Sequence, residues 1–329
     1  MVYAAIFQEN NASQVEYNFC YWRIMRIFLI KAILYLCAYL PLPLIHALGV
    51  GIGYGLILVP NRSRYTTAIN IALCLPELTA TEQHRLARRS LIETGKTIIE
   101  TSALWMRSGK RTLRLIREVD GQELVEQAMA AGNGVILATP HLGAWECAGL
   151  YCAARFNITC LYRPLKMPEL EGLVVNARSR MGGNYVPATA RGIRILYKTL
   201  EQGQPVAMLP DQEPQAGTGI FAPFFGVPAY SMTLLVRLAA KAATPVVFVW
   251  CERLSWGRGY RLHFRSAPEA TRSGNIDEAV AATNLAVENC VRECPTQYQW
   301  SYRRFRKRPA GGASFYNTKA SASAARIRG

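Results

Sequence analysis

Histidine is scarce in this 329-residue chain, with four residues, and charged side chains make up only 18% of it. With half the residues apolar, that low charge excludes a disordered or highly solvated protein. Nine cysteines run from Cys20 to Cys294 without a CxxC pair. Neither a disulfide framework nor a zinc ribbon is favoured, and reduced, cytosol-facing thiols are the simplest reading. HExxH is absent, and His46, His84 and His263 lie far from His141 in sequence, so a metal site has little support. No GxSxG elbow is present to supply a serine nucleophile, and no GxGxxG fingerprint to bind a dinucleotide. Gly95-Lys96-Thr97 looks like the end of a phosphate loop, but Ser90 stands where the first glycine is needed. Acidic residues are the other shortfall. They number 22 against 38 basic ones, a net charge of +16. Such a surface suits acidic partners: nucleic acid, anionic lipid, a phosphorylated substrate or an acidic carrier protein.

The length gives a prior of about two domains, or one large domain with additions. Residues 1–21 form a polar N-terminal segment without the basic start of a secretory signal. Residues 22–60 are mostly apolar, with no formal charge between Ala32 and Pro60, long enough for a bilayer span of ~20 residues. Pro41 and Pro43 divide this run into two helix-sized pieces, so a kinked membrane span, a span plus an interfacial helix, a buried helical hairpin and a buried soluble helical pair all stay open. Gly49, Gly51, Gly53 and Gly55 form overlapping GxxxG spacings that allow close helix packing. From residue 61 to 308 the pattern is that of an α/β domain. A helix is predicted from Thr81 to about Met106 and another over Gln122–Ala131. Buried strands are predicted at Gly134–Thr139, Ile158–Tyr162, Pro205–Leu209 and Pro245–Cys251. Helices fall between them at Gly143–Arg155, Leu170–Met181, Arg191–Gln202 and Ser231–Ala243. Tyr260–Phe264 alternates like an edge strand, and Asp277–Cys294 reads as a last helix. The expected fold is a mixed, partly parallel sheet flanked by helices. Residues 309–329 read as a disordered basic tail.

The sharpest local feature is Pro140-His141-Leu142-Gly143-Ala144-Trp145-Glu146. His141 follows a predicted buried strand, where α/β sheets place their sites. Glu146 comes five residues later across a glycine, a spacing that can bring a carboxylate against one imidazole nitrogen and leave the other as a base. A satisfied structural histidine at a strand end fits the spacing equally well.

The HLGAWE segment resembles the H-x4-D/E motif of glycerolipid acyltransferases. Further blocks resemble the bacterial lipid A secondary acyltransferases, the lauroyl/myristoyl family. They are Tyr162-Arg163-Pro164-Leu165, Asn176-Ala177-Arg178 with Arg180, Arg191-Gly192-Ile193-Arg194, Leu209-Pro210-Asp211-Gln212, Pro223–Ala229 and Gln297–Arg308. The resemblance covers residues 22 to 308 in order, with one departure: Ala144 stands where many relatives carry asparagine. It implies acyl transfer from a thioester on acyl carrier protein to a hydroxyl of a Kdo-lipid A precursor, at the cytoplasmic face of the bacterial inner membrane; the alternatives are the same chemistry on another glycolipid or phospholipid, and a non-enzymatic membrane-anchored binder of anionic ligands. Membrane lipids are the implied surroundings, no cofactor is needed, and nucleic acid is not an expected partner. His141 would be the base and Glu146 its orienting carboxylate. Arg163 would bind phosphate or stabilise an oxyanion, with Asp211 and Gln212 as site support. Arg180 and Arg191 are candidate substrate contacts, as are Arg178 and Arg194, with solvated helix faces an equal alternative for all four. Phe224 and Phe225 would line an acyl pocket or belong to the core.

Overall fold

The computed structural model describes residues 25, 27–164, 167–241 and 243–316. The polar segment 1–21 and the tail beyond residue 316 lie outside the described residues. The apolar run forms two helices, α1 (Ile27–Tyr39) and α2 (Leu42–Leu58), parted at Pro41 as the prolines predict. Next come α3 (Arg62–Cys74) and the long α4 (Ala80–Met106). A capping box starts α4: Glu82 N–H donates to Thr79 Oγ1 at 3.3 Å, and Thr79 N–H returns to Glu82 at 2.8 Å. Among the described residues no single helix is long and apolar enough to cross a membrane. Helices α2 and α3 pass that test only jointly, and they meet at 82°. Of the forms left open for residues 22–60, the described residues give a helical pair and no single membrane-length helix.

Instead, α2 lies along α4, and glycines set the contact. A Cβ at Gly49 would stand 2.5 Å from Lys96 Cα, and one at Gly53 2.4 Å from Ile92 Cα. From the other side, a Cβ at Gly95 would stand 2.2 Å from the Gly49 carbonyl. The two backbones touch because no side chain stands between them. Gly95, part of the phosphate-loop lookalike, thus has a packing role.

After the short α5 (Gly109–Leu113), strands and helices alternate: β1 (Ile116–Asp120), α6 (Glu123–Ala130), β2 (Val135–Ala138), α7 (Trp145–Phe156), β3 (Thr159–Tyr162), α8 (Pro168–Ser179), β4 (Asn184–Pro187), α9 (Ala190–Glu201) and β5 (Pro205–Met208). A hairpin, β6 (Gly219–Phe224) and β7 (Val227–Met232), leads into α10 (Leu234–Lys241). Strands β8 (Val246–Arg253) and β9 (Tyr260–Ser266) and helix α11 (Ile276–Glu293) complete the order. The seven-stranded sheet runs β1-β9-β8-β2-β5-β3-β4. Strands β8, β2, β5, β3 and β4 are mutually parallel, while β9 is antiparallel to β8. The predicted edge strand β9 is interior, since β1 pairs with its outer side.

Both faces of the sheet are covered, so the central strands are apolar on both sides. Along β8, Val246, Phe248 and Trp250 enter one core with α9, α10 and α11. Val247, Val249 and Cys251 enter the other, with α6, α7 and Leu104 of α4. Each fully buried side chain of this size contributes ~1.5–3 kcal/mol. The stretch expected to open a disordered tail is ordered at its start: Tyr316 is buried and donates to Asn70 Oδ1 at 2.6 Å.

Candidate active site

Because β8, β2, β5 and β3 are parallel, the loops after them share one edge, the usual place for a ligand in such sheets. Immediately beyond β2 the chain turns through His141, Leu142 and Gly143. Gly143 has φ +62, and a Cβ there would lie 2.0 Å from the Cys251 carbonyl. Glycine is required twice over, by conformation and by contact. The turn is pinned on both sides. Ala144 N–H donates to the Cys251 carbonyl at 2.7 Å, and Gly143 N–H to that of Gln297 at 3.0 Å. Gln299 N–H donates to the His141 carbonyl at 3.1 Å. The Gln297–Arg308 block thus reaches the site through its backbone.

A buried ionic group braces the same turn from below. Arg253, at the end of β8, donates to the Gly143 carbonyl at 2.9 Å and through Nε to Glu100 at 2.7 Å. Glu100 also contacts His46 Nε2 and accepts from Tyr260 Oη, each at 3.1 Å. Burial pushes the Glu100 carboxyl up, but Arg253 and then His46 outweigh it and hold it at about 2. Helix α2, which carries His46, is thereby tied to the loop that carries His141.

The His141 ring is held by Asp211. Nδ1 lies 2.8 Å from Asp211 Oδ1, and His141 N–H donates to Oδ2 at 2.9 Å. Asp211 follows β5 and is 2% exposed. Burial alone would raise its carboxyl, yet the His141 ring and the two hydrogen bonds bring it below the usual carboxylate range. An ionised Asp211 acting as acceptor puts the imidazole proton on Nδ1 and leaves the Nε2 lone pair available. Trp145 packs against the ring at 5.2 Å between centroids.

Glu146 is engaged elsewhere, which corrects the pairing expected from the H-x4-E spacing. It begins α7, whose first turn aims it at α8. There Arg178 Nε donates to Glu146 Oε2 at 3.0 Å and a second guanidinium nitrogen pairs with Oε1. Trp105 Nε1 adds a bond of 3.2 Å. Burial weakens the Arg178 cation, and Glu146 more than reverses that. No hydrogen bond joins Glu146 to His141 among the described residues.

His141, Glu146 and Arg178 all line a cavity of about 650 Å³, within the range of ligand pockets. Its exposed members include Arg163 and Arg237, and its buried ones Cys152, Ile158 and Cys160. This polarity gradient fits a ligand with an anionic head and an apolar chain. Burial pushes the Cys160 thiol up to about 12 and that of Cys152 higher still. These thiols are therefore apolar wall, not nucleophiles.

Of the other expected residues, Arg163 stands exposed in the wall, and Gln212 lines the cavity while donating to Gln299 Oε1 at 3.0 Å. Arg180 and Arg191 are not in the wall. Arg180 caps the end of α4 by donating to the Trp105 and Leu104 carbonyls, and Arg191 is exposed in the first turn of α9. Phe224 and Phe225 are core residues, stacked edge to face at 5.0 Å, and neither lines the cavity. Arg253 and Arg237 carried no signal in the sequence, Gln297 and Gln299 entered only as part of a family block, and Arg178 stood no better than a helix face.

The profile of the bacterial lipid A biosynthesis acyltransferases matches residues 13–307. The chain belongs to this family. A lipid A biosynthesis lauroyltransferase of Escherichia coli (strain K12) is 28% identical over 289 residues, 86% of this chain and 92% of the relative. A palmitoleoyltransferase from the same strain is 28% identical over 288 residues, with the same coverage. A phosphatidylinositol mannoside acyltransferase of Mycobacterium tuberculosis is 27% identical over 158 residues, 46% of this chain and 50% of that relative. The protein is thus an acyltransferase, and the edge of the sheet that gathers His141, Asp211 and the half-apolar cavity is its candidate active site.

Proposed function

We propose that this acyltransferase moves a fatty acyl chain from an acyl carrier protein thioester to a hydroxyl of a Kdo-bearing lipid A precursor, at the cytoplasmic face of the inner membrane. The observation that carries the reading is His141 in the cavity wall, with Nδ1 held by buried Asp211 and Nε2 left as a base. In this reaction Nε2 takes the proton of the acceptor hydroxyl, whose oxygen attacks the thioester carbonyl directly. Collapse of the tetrahedral intermediate breaks the carbon–sulfur bond, and the imidazolium returns its proton to the departing thiolate. Asp211 stabilises the imidazolium and fixes the tautomer, the role first expected of Glu146. The Glu146–Arg178 pair neutralises the wall beside the apolar part of the cavity. Arg163, exposed at the wall, offers its donor fork to a phosphate or to the oxyanion, and the net charge of +16 suits an acidic carrier protein.

The relatives that match along most of the chain carry lipid A names, whereas the mannoside acyltransferase matches along half, so a lipid A precursor stands first as acceptor. Deleting the gene should remove one acyl chain from the strain's lipid A by mass spectrometry. Wild type should restore it and His141→Ala should not. Unchanged lipid A, with a different glycolipid short of one chain, would move the chemistry to that acceptor.

A further inference from the structure

We propose that Trp256, beside the outer stripe of α2, is an anchor in the headgroup layer that fixes how the catalytic domain is rolled on an anionic bilayer surface. The proposal deepens the reading of a lipid acceptor and rests on it.

Helix α2 is apolar on both faces, yet protein covers only one. Leu42, Ile45, Gly49, Gly53 and Ile57 face inward, while Leu44, Leu48, Tyr54 and Leu58 are exposed at intervals of four to six residues. A helix apolar all round belongs in apolar surroundings. At 17 residues the helix is ~25 Å long, and its whole length packs on α4, so it lies along the domain instead of leaving it. That posture suits a helix lying in the interface plane, not one crossing the bilayer.

Trp256 sits in the turn between β8 and β9, far away in sequence but next to α2 in space. A Cβ on its neighbour Gly257 would stand 2.5 Å from Pro43 Cα. The turn is therefore seated against the start of α2. Trp256 is 89% exposed and has φ +60, a conformation L side chains rarely adopt. The fold holds a large indole in water, on a rigid turn, beside an uncovered apolar stripe. Tryptophan with one apolar body and one N–H donor is the side chain enriched at headgroup level. Charge agrees with this occupant. Among the described residues the Arg258 side chain bonds only to Ser255, while Arg117 Nε donates to the Arg258 carbonyl at 3.0 Å. Among the described residues neither arginine pairs with a carboxylate, and both are exposed next to the indole. Two uncompensated cations beside a tryptophan match phosphate headgroups over their own apolar chains.

The test uses the full chain and vesicles of phosphatidylcholine with phosphatidylglycerol, some carrying brominated acyl chains. The emission difference between wild type and Trp256→Phe should shift to the blue on binding and be quenched by bromine. Trp256→Ala should weaken vesicle binding several-fold. Arg258→Ala should weaken binding to anionic vesicles about fivefold and leave neutral ones unaffected. Turnover on detergent-dispersed substrate should stay at the wild-type level in both variants. A Trp256 emission that stays water-like while the protein is vesicle-bound would overturn the proposal. So would failure to bind vesicles, or loss of the exposed face to self-association in light scattering. If binding behaves as expected and no acyl transfer is found, the functional reading fails and the membrane posture stands.

Discussion

Replacing Asp211 by asparagine keeps the side chain's shape and removes one acceptor and one charge. Asp211 accepts two bonds at once, from the His141 ring at 2.8 Å and from its N–H at 2.9 Å. An amide has one oxygen for two donors. If the oxygen faces the main chain, the NH2 faces Nδ1, which must then accept; the ring proton moves to Nε2 and the base is lost. If the oxygen faces Nδ1, the His141 N–H meets another donor, and a buried unmatched donor costs ~1–3 kcal/mol. In either orientation the imidazolium loses its counter-charge in a site where Asp211 is 2% exposed. The same swap in a serine protease lowers kcat by ~10⁴, about 5 kcal/mol of barrier, and a loss of 10³–10⁴ in kcat with little change in KM is expected here. The assay is steady-state transfer from a labelled acyl carrier protein thioester, with thermal melting as a folding control. A folded Asp211→Asn enzyme with kcat within tenfold of wild type would refute the assignment.

Glu146→Gln separates the two carboxylates. It leaves Arg178 without its counter-ion, so it should lower melting temperature and raise KM for the acyl donor more than it lowers kcat; a kcat loss exceeding that of Asp211→Asn would return the orienting role to Glu146. Gly53→Leu drives a Cβ to within 2.4 Å of the Ile92 backbone, and overpacking of this kind costs ~1–3 kcal/mol, measurable as a lower melting temperature. Glu100, held at about 2 when folded against an ordinary 4.5, binds more protons unfolded than folded between those values. Its contribution is complete above about 4.5 and is lost as pH falls towards about 2. Glu100→Gln takes from buried Arg253 its nearer carboxylate and leaves it Glu93 at 3.5 Å, a cost of up to ~3–5 kcal/mol at neutral pH. The gap in melting temperature from wild type should therefore narrow as pH is lowered below 4.5; a constant gap would contradict the ion pair.

Strands β2, β5 and β8 were legible because they are covered on both faces and read as unbroken apolar runs. Strand β1, Ile116–Asp120, has four of its five residues exposed, so no apolar signal marks it, and β9 looked like an edge without it. In the β6–β7 hairpin, Phe225 at φ +50 and Gly226 at φ +74 form the turn, and only the glycine announces it. That hairpin also claims Ser231 and Met232 from the helix predicted to start there. At the site, His141 was visible from its strand end and its motif. Asp211 was read as site support but not as its partner, because it is 70 residues away and is brought adjacent only by the pairing of β2 with β5. Glu146 was the nearer carboxylate along the chain, but the start of α7 turns it towards Arg178. The family blocks located the right segments; which side chain meets which follows from the sheet.

The most direct measurement is acyl transfer by purified wild type and His141→Ala in detergent. The substrates are labelled acyl carrier protein thioesters and a Kdo-lipid A precursor, with mass spectrometry of the lipid product. One added acyl chain is expected with wild type and none with His141→Ala. Transfer by a folded His141→Ala enzyme at a rate near wild type would contradict the role of His141 as the base.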